Sequence, residues 1–101
     1  MGVSNKAHTA TVRRIAALWG GLLGPAGSPD IVLPDGRIEV ETSATLAQGI
    51  ANLRLAYGRR YVAVTNKETI PEALRLVDGT GIGLLNSHGE ILHEAVAAPR
   101  T

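Results

Sequence analysis

Three carboxylates fall close together around a short turn: Asp30, then Glu39 and Glu41 two residues apart. Carboxylates crowded on adjacent strands repel each other and lose hydration, so a chain that gathers them without cations gives up stability. A divalent metal reverses that balance, and an all-oxygen ligand set favours Mg²⁺ or Mn²⁺. The bland alternative is a solvated sheet face, since charged residues alternating with Ile and Val are common in half-exposed strands. Asp35 is excluded from the set because the Asp35-Gly36 pair is explained by turn chemistry.

The surrounding elements must bring these residues together. Apolar residues at Val12, Ile15, Ala16, Trp19, Leu22 and Leu23 predict a helix from Ser4 to Leu23 with one buried face, ended by the Gly/Pro-rich stretch Gly24 to Pro29. Ile31–Leu33 and Arg37–Glu41 are β-prone runs joined by Pro34-Asp35-Gly36, the clearest hairpin in the chain. Period-two alternation puts Ile38 and Val40 on one face of the second strand and Arg37, Glu39 and Glu41 on the other. A helix from about Leu46 to Gly58 follows, capped by Thr42, Ser43 or Thr45, then a strand at Tyr61–Thr65. Strand, helix and strand predict a parallel crossover. A helix over Pro71–Val77 and strands at Ile82–Leu85 and Glu90–His93 complete the order α-β-β-α-β-α-β-β. The expectation is a single α/β domain over residues 1–101, a mixed central sheet flanked by helices.

Ser28-Pro29-Asp30, the strand Ile31-Val32-Leu33, a tight turn and Ile38-Glu39-Val40-Glu41-Thr42 together resemble the PD-(D/E)xK nuclease motif. The order of elements from Ala7 to Val64 also resembles the core of that restriction-endonuclease-like superfamily, within which the chain looks closest to small archaeal-type Holliday-junction resolvases. The resemblance implies a Mg²⁺-dependent DNA endonuclease acting on branched DNA, with Asp30 and Glu39 as metal ligands. Glu41 falls where the family usually has lysine, and would serve as third ligand or metal-assisted base. Many resolvases carry an acid in the first helix. This helix has none, and His8 is the nearest chemically able substitute. Gln48 is a second supporting candidate, as a glutamine supports the site in some related nucleases. The competing reading is a catalytically reduced nuclease-like domain that binds nucleic acid or a protein partner.

The 101 residues carry a net charge of +1, too little to hold nucleic acid by overall charge, so DNA contacts must come from a local patch. Lys6, Arg13 and Arg14 are the favoured phosphate-binding residues, because guanidinium groups pair with phosphate in bidentate fashion. With no cysteine, disulfides, thiolate zinc sites and cysteine nucleophiles are excluded. Gly79-Thr80-Gly81-Ile82-Gly83 leads into a strand and not a helix, which argues against a phosphate loop. The stretch from Ile15 to Ala26 is too short to span a bilayer, so a soluble, cytoplasmic protein without a membrane partner is expected. A homodimer is expected as well, because Trp19, Leu22, Leu23 and Tyr61 would leave apolar surface for a second copy to cover.

Overall fold

A computed structural model of the chain describes residues 6–25 and 29–100. Ser4 and Ser28, the predicted helix start and the first residue of the Ser-Pro-Asp run, lie outside the described residues.

The first helix, α1, spans Lys6–Trp19 and buries Thr11, Ile15 and Ala16. It ends four residues before the predicted Leu23. Gly20 takes a left-handed φ of +66°, and Gly21 N–H closes the last turn on Ala16 O at 2.9 Å. The chain then reverses. Leu22–Leu23 form an edge strand, β1, antiparallel to Ile31–Leu33 (β2), with Leu22 opposite Val32 and Leu23 opposite Ile31. Gly21 is required there, because a Cβ at this position would run into the Ile31 side chain. The observed order therefore has one strand more than predicted.

β2 turns through Pro34-Asp35 into Gly36–Glu41 (β3), and the two pair with Ile31 opposite Ile38. Thr45 precedes α2, Leu46–Arg54, but its hydroxyl accepts from Thr42 N–H and makes no cap bond to the helix. α2 stops at Arg54 and not at Gly58, leaving Tyr57 in the exit loop and exposed. Gly58, at φ +82° and packed against Asp35 O, starts the chain into Arg59–Val64 (β4). β4 lies parallel to β3, as the strand–helix–strand pattern predicts, with Glu39 opposite Val62. A 3₁₀ turn at Lys67–Thr69 leads into α3, Ile70–Val77, and then to Gly83–Leu85 (β5), parallel to β4. Ile91–His93 (β6) closes the far edge antiparallel to β5.

The result is a mixed six-stranded sheet in the order β1 to β6, with three α-helices among the described residues. Each face has its own core. Under α1 lie Ile15, Ile31, Ile38, Val40, Tyr61 and Ala63; under α2 and α3 lie Leu46, Ile50, Leu53, Val62, Val64 and Leu84. β4 is covered on both sides, which is why it reads as a continuous apolar run whereas β3 alternates. Each large side chain fully buried here contributes roughly 1.5–3 kcal/mol.

Two residues expected at a dimer surface are not there. Tyr61 is wholly buried, its ring 5.0 Å from Trp19 in an edge-to-face contact, and Trp19 is half-buried with its indole N–H donating to Gly89 O at 2.9 Å. A strand position between two helical layers takes its ring inward whatever its polar tip. Leu22 and Leu23 are exposed. No helix among the described residues is long and apolar enough to cross a membrane.

Candidate metal centre

The hairpin register brings the acids together. Because Ile31 sits opposite Ile38, the residue before β2, Asp30, falls opposite Glu39. Asp30 Oδ2 accepts the Val40 N–H at 2.8 Å, which fixes its carboxylate against β3. Glu39 and Glu41 alternate with the buried Ile38 and Val40 and so lie on the face that α2 covers. Asp30, Glu39 and Glu41 each offer one carboxylate oxygen within 4.8 Å of the others. Two oxygens on opposite sides of a hard divalent cation stand about 4.2–5.2 Å apart for cation–oxygen distances of about 2.1–2.6 Å, so the donor set fits such an ion with little movement.

The cluster carries an electrostatic strain that a cation would relieve. Glu39 is pushed from an ordinary 4.5 to about 7, chiefly by burial, then by the charges of Asp30 and Glu41. Burial also raises Glu41, with a further push from Asp30, against the pull of a Thr45 hydrogen bond and of His8. Desolvation and like charge both disfavour ionisation, so the cluster favours holding a proton near neutrality.

α2 makes room for this arrangement. Gly49 is buried on the helix face over β3, and a Cβ there would collide with the Glu41 carboxylate. Glycine inside a helix costs about 1 kcal/mol relative to alanine. Gly49 and Thr45 were not among the expected site residues. A glycine inside an otherwise helical pattern was the available signal for the first. The Thr45 contact had none, since it depends on how the loop after β3 folds back.

The supporting residues divide. His8 is brought in: its Nε2 lies 3.4 Å from Asp30 Oδ2. Arg13 lines a crevice of about 190 Å³ with His8, Gly24 and Asp30, one of the three acids. Lys6 is exposed in the first turn of α1. Arg14 is committed elsewhere, donating to Ser87 O at 2.7 Å. Gln48 points along the exposed side of α2, its amide donating to Asn52 Oδ1 at 3.0 Å, one residue from the glycine that does face the cluster.

No family model, curated protein or solved structure matches this chain.

Proposed function

We propose that this chain is a divalent-metal-dependent DNA endonuclease of the PD-(D/E)xK, restriction-endonuclease-like type, with branched DNA as its preferred substrate. The observation that carries this reading is the convergence of Asp30, Glu39 and Glu41 within 4.8 Å on a helix-covered hairpin, beside a crevice holding His8 and Arg13. The three carboxylates would hold Mg²⁺ or Mn²⁺. When bound there, the cation supplies neutralisation of charge on the phosphate oxygens and a lowered pKa for bound water.

The chain's own residues then have definite work. Arg13 can pair with a backbone phosphate entering the crevice and orient it toward the acids. Glu41 stands where the family has lysine, and its raised pKa suits it to accept a proton from the attacking water. His8, within reach of Asp30, holds that carboxylate in place. Branched DNA and a symmetric dimer follow from the family likeness; two active sites would supply two cuts. Two features favour the reduced, binding-only alternative: glutamate in the lysine position, and α1 offering His8 where an acid is usual.

Cleavage of linear, flap and four-way DNA with Mg²⁺ or Mn²⁺ tests the proposal. Glu39→Gln keeps the side-chain size and should leave folding and most DNA binding intact while abolishing cleavage. Glu41→Lys should retain or raise activity if that position only handles water. Should the wild type cut nothing while Glu41→Lys cuts, the natural chain is a reduced nuclease. Should neither cut any substrate, the enzymatic reading is wrong.

A further inference from the structure

At the start of β3, on the same face as Glu39 and Glu41, lies a second polar feature that the acidic centre does not use. A cavity of about 480 Å³ is lined by the Pro34–Gly36 turn, Arg37, Tyr57 and Arg100. Arg37 is two residues from Glu39 along the strand, roughly 7 Å. Its Nε is buried and has no hydrogen-bond partner among the described residues. Arg100 stacks on Tyr57, its guanidinium carbon 4.5 Å from the ring centroid, and donates to the phenol oxygen at 3.0 Å. That contact uses the oxygen as acceptor and leaves the phenol O–H free to donate.

The one carboxylate among the described residues that line the cavity, Asp35, is already taken. Asp35 receives both Arg59 Nε and Arg59 Nη2, at 3.0 and 3.1 Å, and no ion pair among the described residues involves Arg37 or Arg100. Arg60, beside Arg37 in the parallel register, adds positive charge; its two terminal nitrogens donate to Leu53 O and Thr80 O, and its Nε, like that of Arg37, has no partner among the described residues. The cavity is thus lined by two guanidinium groups that form no ion pair among the described residues and by a phenol donor, and Arg37 also carries a buried Nε–H without an acceptor among them. An unpaired buried donor is destabilising, and an oxyanion that reached the Arg37 guanidinium would relieve that loss.

We infer that Arg37, Tyr57 and Arg100 form a phosphate-binding subsite that holds the nucleic-acid backbone at a position next to the one facing Asp30, Glu39 and Glu41. The substrate assignment rests on the nuclease reading; the anion site itself does not. One strand face would carry acids for the reacting phosphate and arginines for its neighbour, which sets how far along the backbone the duplex is gripped.

Two titrations without divalent metal test it. Inorganic phosphate added to ¹⁵N-labelled protein should shift the Arg37 and Arg100 Nε–Hε resonances and leave that of Arg75, paired with Glu72 on α3, in place. A short duplex should bind roughly tenfold more weakly to Arg37→Gln and to Arg100→Gln, with the salt dependence reduced by about one phosphate contact. Arg100→Gln changes an exposed side chain, so it reads binding even if Arg37→Gln folds poorly. Unmoved Arg37 and Arg100 resonances overturn the anion site. Resonances that respond to phosphate while both variants bind the duplex like wild type overturn its role in nucleic-acid binding and leave a free-phosphate site. Loss of metal binding or cleavage, with these shifts intact, would strike only the nuclease reading.

Discussion

The two ends of β3 crowd like charges in opposite ways. Around its start, Arg59 and Arg60 lie side by side on β4, and each is answered by groups of the fold. Arg59 pairs with Asp35 and sits over the rings of Trp19 and Tyr61 at 5.5 and 5.7 Å; Arg60, buried, donates through its two terminal nitrogens to the backbone carbonyls of Leu53 and Thr80, and only its Nε is left without a partner among the described residues. Leu53 lies in the last turn of α2, so that helix end adds its partial negative charge. Toward the other end, Asp30, Glu39 and Glu41 face mainly one another, with His8, Thr45 and the Val40 N–H as their polar neighbours. Charge that a fold neutralises from within is architecture; charge it gathers and leaves facing itself calls for something from outside.

The contrast can be broken most forcefully at Arg60. Arg60→Ala removes the donors to two carbonyls and empties a buried volume, and should cost about 3 kcal/mol in chemical denaturation. A loss under about 1 kcal/mol would mean that Arg60 is not part of the internal frame.

At the acidic end the test is pH. Glu39 has a folded pKa of about 7 against an ordinary 4.5, so the folded state binds its proton more tightly than the unfolded chain does. That contribution to stability is fully present below pH 4.5 and is lost as pH rises through about 7. The metal-free protein should therefore melt at a progressively lower temperature over this window, Glu39→Gln should flatten the slope, and Mn²⁺ should restore stability at the alkaline end with release of protons. A melting temperature that does not depend on pH between these values would remove the electrostatic argument for a cation.

The smallest effect belongs to the surface pair. Asp35→Asn should leave the denaturation midpoint almost unmoved, and even less changed at high salt, because exposed ion pairs contribute little. Arg59 would keep its contacts with the two rings.

Much of this was legible from the chain. The alternation Ile38-Glu39-Val40-Glu41 puts both glutamates on one face of a strand that returns beside Asp30, as the structure has it; the exact register, Asp30 opposite Glu39, was not legible, because it depends on Gly36 joining β3 in place of the turn. Where the reading went astray, the cause was tertiary. Leu22 and Leu23 fit the helical period, but two glycines let the chain turn back and pair with β2, so periodicity alone extended α1 too far. The spacing of Tyr61 and Trp19 fits either core packing or a subunit interface; the structure buries Tyr61 in the core under α1, and Trp19, at the end of α1, packs half-buried against it. The burial of Arg60 has no sequence signature, because its acceptors are backbone carbonyls that only the packed helices bring near.

Gly49 gives the acidic centre a consequence that can be followed in protein engineering. Replacing it with alanine is the first change a designer would make to strengthen α2, worth up to about 1 kcal/mol in helix propensity. Here the new methyl group would push the Glu41 carboxylate out of its seat, so the sturdier protein should be the poorer cation trap. A screen that selects for heat resistance alone should accept this substitution, and one that also selects for Mn²⁺ retention should reject it.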